Sequence, residues 1–287
     1  MTFEQQVAFA LSQGLRRIDL PTSAPTFERL VRLDGNHNFR DAGGYAGRDG
    51  LTMRRGLVFR SDHLADLTNN DLGRVADLGI RVVHDFRLTS ERDRQPSRLP
   101  DGPRAPVVQL LAAADAVGLD ETMIEVIRDM LAGRRALPPP TFWETNYLQM
   151  LTDAQRMLVA FLRSIADADR LPSVHHCTGG KDRTGVSTAL LHRLLGVNDE
   201  DIFDDFLLTN LYRTPFRVDA LRLGLAEHGI DVVDAIPILG VTRQPLRGVL
   251  QYWDDNGGAE AYALDGGATP NEIERLRQLL LISTQAT

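Results

Sequence analysis

The segment Val174-His175-His176-Cys177-Thr178-Gly179-Gly180-Lys181-Asp182-Arg183-Thr184-Gly185 constrains this chain more than any other, and it holds the only cysteine. An apolar, strand-like run over 171–176 ends in a histidine and a thiol, a glycine-bearing turn follows, and 184–195 (TGVSTALLHRLL) reads as a helix. That order puts the turn at a helix N-terminus. Amides there lack intrahelical acceptors and carry the positive end of the helix dipole, so a dianionic phosphate can settle on them.

Each residue of the turn has a chemical use. Gly179, Gly180 and Gly185 let the backbone turn tightly and approach phosphate oxygens without Cβ clashes. Arg183, six residues after Cys177, offers a planar fork of donors to two of those oxygens, with a grip that strengthens in the trigonal-bipyramidal transition state. Cys177 sits beneath this anion pocket, whose field favours thiolate over thiol. Thr178 completes the substrate-binding turn, and Lys181 adds a positive charge suited to substrates with further phosphates. Thr184 can donate its hydroxyl to the sulfur. His176 orients the loop rather than acting as a base, because a pre-formed thiolate needs none. The chemistry implied is that of a cysteine-dependent phosphatase.

An inert buried cysteine would leave the two glycines, the lysine and the arginine of the turn without a reason. A Walker-type nucleotide loop is excluded: Asp182 follows Lys181 where that loop needs Ser or Thr, and no glycine stands five residues before Gly180. One cysteine and scattered histidines supply no ligand cluster, so neither metal nor cofactor is expected. With 32 Lys and Arg against 39 Asp and Glu, the net charge of −7 argues against a nucleic-acid or anionic-membrane binder while allowing a local basic pocket. The single cysteine also excludes an intramolecular disulfide framework and fits a reducing compartment. Residues 1–17 read as an amphipathic helix, not a signal peptide, and no apolar run approaches the ~20 residues that span a bilayer. A cytoplasmic location is expected, with export by a route needing no signal peptide left open.

Strand-like and helical patterns alternate along the chain. A short strand or turn near 30–33 leads into a loop over 38–45; GLVFR (56–60), RVVHDF (81–86) and 106–111 read as strands. Helices are expected from the Thr68 cap to about Leu78, near 120–133, 141–151 and 154–166, from the Asn198 cap to Leu208, and through the remainder, with a capping box at Thr269 to Glu272. The fold class is α/β: a mostly parallel central sheet flanked by helices, with the cysteine loop between a strand and a helix. The 287 residues are read as a single domain, and the Pro138-Pro139-Pro140 connector marks off 118–150 as a helical excursion.

HCTGGKDRTG, NFRDAGGY, VFRSDHL and HDFRLTSERDRQPSRLPDG together resemble the bacterial atypical protein tyrosine phosphatases, the group related to mycobacterial PtpB. The resemblance runs from about Leu33 to the C-terminal helix. It implies a phosphatase acting on phosphotyrosine and often on phosphoinositides, with Cys177 as nucleophile and Arg183 as phosphate clamp. It also implies that Lys181 and Asp182 are linked to broad specificity, and that a helical lid covers the site, supplied by 118–150 or by 199–262. Phosphorylated proteins or phosphoinositides are the expected partners.

Two aspartates are candidates for the acid that protonates the leaving oxygen. Asp115 is preferred, since it follows the 106–111 strand where similar family members carry a mobile-loop aspartate; Asp182, in the phosphate loop itself, is the alternative. Arg40, Arg60 and Arg87 each stand beside a carboxylate (Asp41, Asp62, Asp85), so ion pairs bracing the loops are favoured over a second anion site. His84 and His192 read as packing residues. Trp143 and Tyr147 read as core or as the inner face of a lid. Rival readings are an inositol-phosphate or sugar-phosphate phosphatase, and a non-catalytic module that captures phosphorylated partners.

Overall fold

The computed structural model describes residues 1–15, 18–111, 129, 134 and 141–283. Its strands are β1 (Arg40–Asp41), β2 (Leu51–Met53), β3 (Val58–Ser61), β4 (Val82–Asp85), β5 (Val107–Leu110), β6 (Ser173–His176) and β7 (Leu281–Ser283). Five of them make one sheet in the order β1-β3-β6-β4-β5. The β3, β6, β4 and β5 pairings are parallel, and only β1 runs antiparallel at its edge. Side chains alternate across this sheet as strand geometry requires. Val58 and Phe86 point into the main core, whereas Phe59, Val83 and Val174 pack with Leu64, Leu67, Val75 and Ile80 on the opposite face.

Helices cover both faces. α1 (Phe3–Ser12) starts in a capping box at Thr2, and α2 (Asn69–Asp77) in one at Thr68. α3 (Thr89–Arg94) is short and carries Glu91 in its first turn. α4 (Thr141–Asp153), α5 (Gln155–Ile165) and α6 (Asp182–Leu194) fill the main core. α7 (Asp199–Leu207) is capped by Asn198, and α8 (Thr209–Tyr212) continues it. α9 (Thr214–Glu227) and α10 (Val232–Leu239) form a hairpin, and α11 (Arg243–Asp255), α12 (Gly258–Asp265) and α13 (Pro270–Leu280) close the chain back onto α4, α5 and α6.

Three local expectations change. The segment near 30–33 makes a single bridge, Leu30 to Arg40, and the expected loop over 38–45 contains β1. The C-terminal part is not helical throughout: β7 pairs antiparallel with β2, through Leu51↔Ser283 and Met53↔Leu281. β2 was equally absent from the sequence reading, because a strand of three residues carries too little periodicity to be seen. The helix expected near 120–133 falls outside the described residues, as does most of the 118–150 lid candidate.

Candidate active site

The registers Ser61↔His176 and Asp85↔His176 bring the ends of β3, β6 and β4 level. Three loops therefore leave the sheet side by side, at the carboxyl edge where open parallel sheets collect ligands. Cys177 is the first residue beyond the central strand β6 and is 2% exposed. α6 begins at Asp182, and its N-cap Lys181 makes no side-chain capping bond, so the first-turn amides have no capping side chain to compete with an anion. Gly180 has φ +63°, and a Cβ there would collide with the backbone of Ser61 and Asp62. Only glycine lets the loop pass so close to β3. A Cβ on Gly185 would meet the Phe206 ring, so glycine also lets α6 lie against α7.

Arg183 is held by a residue that no local sequence signal singles out. Its Nη1 and Nη2 donate to the Glu91 carboxylate at 3.0 and 3.1 Å, and Nη1 also reaches Phe86 O at 2.7 Å. Glu91 in turn caps α3 through Leu88 N and accepts from the Thr178 hydroxyl. One buried carboxylate thus fixes the plane of the guanidinium and one wall of the phosphate loop. Such two-point pairing orients arginine more firmly than a single bond. The Thr184 hydroxyl is fully buried and, among the described residues, has no hydrogen-bond partner, so the bond to sulfur expected from the sequence is not formed here.

Beneath the loop lies a buried charge frame. Asp205 on α7 accepts from Arg60 Nη1 at 2.6 Å and from Arg40 Nε at 3.3 Å. Arg60 Nη2 then donates to Gly180 O at 2.9 Å, and Asn38 Nδ2 donates to Gly179 O and Gly180 O at 3.3 and 3.1 Å. Burial pulls Arg60 down to about 10, helped by neighbouring Arg40 and opposed by Asp205. Burial would raise Asp205, but the two guanidinia outweigh it and hold the carboxyl well below its ordinary range. The ion-pair reading of these arginines therefore stands, with two partners corrected. Arg40 and Arg60 share Asp205, while Asp41 accepts from the amides of Gly43 and Gly56, and Asp62 lies 3.5 Å from Arg213. The carboxylates nearest in sequence are taken by other partners, so adjacency misleads. Arg87 does pair with Asp85, at 2.7 Å.

His176 places Nδ1 3.2 Å from Cys177 O, and its Nε2 lies 3.7 Å from Asp85. Burial lowers it to about 4 despite Asp85, so it is neutral near pH 7. An imidazole whose Nδ1 meets the cysteine carbonyl can orient the loop, as the sequence suggested. Burial also drives His175 well below the ordinary imidazole range; its Nε2 meets Thr188 Oγ1 at 2.8 Å, which itself donates to Thr184 O. His84 and His192 are packing residues, with Nε2 on Ser164 Oγ and on Ala42 O.

The two charged residues after the glycines are engaged by helices. Asp182 Oδ1 accepts from the Tyr147 hydroxyl at 2.7 Å. Lys181 Nζ donates to Ile238 O at 2.6 Å and Gly240 O at 3.2 Å, stands 4.8 Å over the Trp143 ring, and lies 3.6 Å from Asp182. Its side chain is 11% exposed. The ammonium is thus committed to the end of α10 rather than offered to a substrate. Asp115 lies outside the described residues. Among the described residues, no group of three or more His, Cys, Asp or Glu could hold a metal, and no helix is long and apolar enough to cross a membrane.

The arrangement brings Cys177, Thr178, Gly179, Gly180, Arg183 and His176 together. Glu91, Asn38 and Asp205 were not foreseen; their only signal is long-range contact. Comparisons with known proteins agree with the geometry. The family model described as the tyrosine phosphatase family matches residues 31–282. A Cupriavidus necator protein provisionally named a tyrosine-protein phosphatase is 29% identical over 80% of this chain and 80% of its own. The triple specificity protein phosphatase PtpB of Mycobacterium tuberculosis is 27% identical over 87% of this chain and 98% of its own, and a tyrosine-protein phosphatase of Nostoc commune is 26% identical over 76% and 72%.

Proposed function

Because this chain belongs to the tyrosine phosphatase family, and is a phosphatase, we propose that it hydrolyses phosphotyrosine through a phosphocysteine intermediate on Cys177. The observation that carries the proposal is the pairing of Cys177, at the end of the central strand, with an Arg183 fixed in plane by Glu91. The Cys177 thiolate attacks phosphorus in line, forming the S–P bond as the bond to the leaving oxygen breaks. Arg183 and the loop amides bind the equatorial oxygens, where charge gathers in the transition state. An aspartate gives the leaving oxygen its proton, and water then attacks phosphorus to release phosphate and regenerate the thiolate. Asp182, held by Tyr147 at the loop, and Asp115 are the two candidates for that acid. We read the chain as one phosphatase domain whose helical cover comes from 118–150 or from 199–262; Tyr147 and Trp143 of the first reach Asp182 and Lys181, and Ile238 and Gly240 of the second receive Lys181.

The name of the mycobacterial relative speaks of triple specificity, which favours a second reading in which phosphoserine, phosphothreonine or phosphoinositides are also accepted. The test is phosphate release by wild type and Cys177→Ser from phosphotyrosine peptide, phosphoserine peptide and phosphoinositides. Release from the tyrosine peptide that disappears in Cys177→Ser is expected. Turnover that survives the substitution would exclude the mechanism, and bound phosphopeptide without any turnover would favour the capture module. Asp115→Asn and Asp182→Asn in the same panel assign the acid, whose loss costs about 10²-fold or more and grows as the leaving group worsens.

A further inference from the structure

Beside the phosphate loop lies a cavity of about 340 Å³ whose walls are Asp62 and His63 from the loop after β3 and Arg213, Phe216 and Arg217 at the start of α9, with His37 stacked on Phe216 at 4.1 Å. His63 N donates to Thr178 O, and the Arg213 guanidinium lies against Gly179, so two wall residues of the cavity touch the phosphate loop. Its charge is mixed. Arg213 and Arg217 are set against Asp34, Asp62 and Asp66, and Arg213 is already 3.5 Å from Asp62. A polyanionic headgroup would meet three carboxylates here. A peptide brings backbone donors and acceptors, both signs of charge and apolar side chains, which an aromatic pair flanked by both charges can accommodate.

The α9–α10 hairpin that carries this wall packs mostly on itself, through Val218, Leu225, Ala235 and Leu239, with Leu223 79% exposed. The far end of α10 is fastened to the phosphate loop by Lys181, which satisfies Ile238 O and Gly240 O. Helix-terminal carbonyls lack intrahelical donors, and an ammonium at a helix C-terminus also meets the negative end of the dipole. We infer that Lys181 is a positioning residue: it seats the α9–α10 hairpin so that Phe216, Arg213 and Arg217 form the wall that receives the peptide segment flanking the phosphorylated residue. Lys181 then acts on substrate selection through the hairpin and not by touching phosphate. This rests on Cys177 being the reactive centre.

The test uses the full chain as wild type, Lys181→Met, Lys181→Arg and Phe216→Ala. Three quantities are read: the ratio of kcat/KM for a phosphotyrosine peptide to that for free phosphotyrosine, binding of inorganic phosphate by calorimetry, and the rate of tryptic cleavage at Arg217 and Arg222. Lys181→Met is expected to lower the ratio about tenfold, mainly through the peptide KM, while phosphate affinity changes by less than about twofold and tryptic cleavage accelerates. Lys181→Arg restores most of the ratio, and Phe216→Ala lowers it about threefold with cleavage unchanged. Three results would overturn the inference: phosphate affinity falling about tenfold in Lys181→Met with an unchanged ratio, a wild-type ratio near one, or a soluble inositol bisphosphate outcompeting the peptide. If Lys181→Met does not fold, Phe216→Ala still decides whether the wall is used. If wild type turns over nothing, the catalytic reading fails on its own, and the phosphate and tryptic measurements still judge the fastening.

Discussion

The carboxyl edge of the sheet and the α9–α10 hairpin both border the phosphate loop, and they are built from different materials. The sheet side is a buried polar frame: Arg40, Asp205 and Arg60 below, Asn38 on the glycine carbonyls, Glu91 on Arg183, nearly all below 10% exposed. The hairpin side is a small apolar cluster plus one ammonium, joined to the body by Ile236 and Ile238. A frame of mutually satisfied charges has one geometry and fails as a unit. A cluster of a few side chains can open while the rest stays folded. Rigid placement therefore goes to the groups that meet phosphate, and adaptable placement to those that meet the rest of the substrate.

The contrast breaks hardest at Asp205. Asp205→Ala leaves two guanidinia buried without their shared partner and should cost about 3–5 kcal/mol of global stability, read by denaturant unfolding, with loss of turnover. A small loss would mean that the frame is not what holds the loop.

Acid sharpens the same comparison. His84, lowered to about 3 by burial, His176, lowered to about 4 by burial, and His175, driven low as well, all lie in or beside the sheet and are neutral when folded. The ordinary value is 6.5, so the unfolded chain binds more protons below that pH, and stability is present above about 6.5 and lost as pH falls toward 4. His84 and His176 should each cost about 2 kcal/mol by pH 5, with His175 acting in the same direction, seen as a falling Tm between pH 7 and 5. A flat Tm over that interval would contradict the burial.

The smallest global effect belongs to the hairpin. Leu225→Ala, in its small cluster, should ease local opening by about 2 kcal/mol, visible as faster hydrogen exchange across 214–239. Global unfolding should barely move. A cooperative loss of the whole fold would erase the distinction between the two regions.

Sequence made the strand–turn–helix of the phosphate loop legible because its signals are local: an apolar run, glycines at a turn, then helical spacing. The helix from the Asn198 cap, expected to Leu208, is found at Asp199–Leu207, and the capping box at Thr269 opens α13 as expected. Partners across the fold were not legible. Nothing near Arg40 and Arg60 names Asp205, and adjacency pointed wrongly to Asp41 and Asp62. Lys181 is the sharper case. Its acceptors are backbone carbonyls of Ile238 and Gly240, which every residue type possesses, so no sequence signal could reveal them. Glu91 stood unmarked in a charged run for the same reason: its role is set by where α3 lands beside α6, not by its neighbours.

The central claim is that Cys177 forms a covalent bond to phosphorus, and the direct test is to trap it. Wild type mixed with phosphotyrosine peptide, quenched in denaturant at neutral pH within a turnover and digested, should yield the Cys177 peptide carrying one phosphoryl group by mass spectrometry, lost on exposure to mild acid and absent when Arg183 is replaced by Ala. Turnover with an unmodified Cys177 peptide at every quench time, or a phosphoryl group found on another residue, would contradict the account.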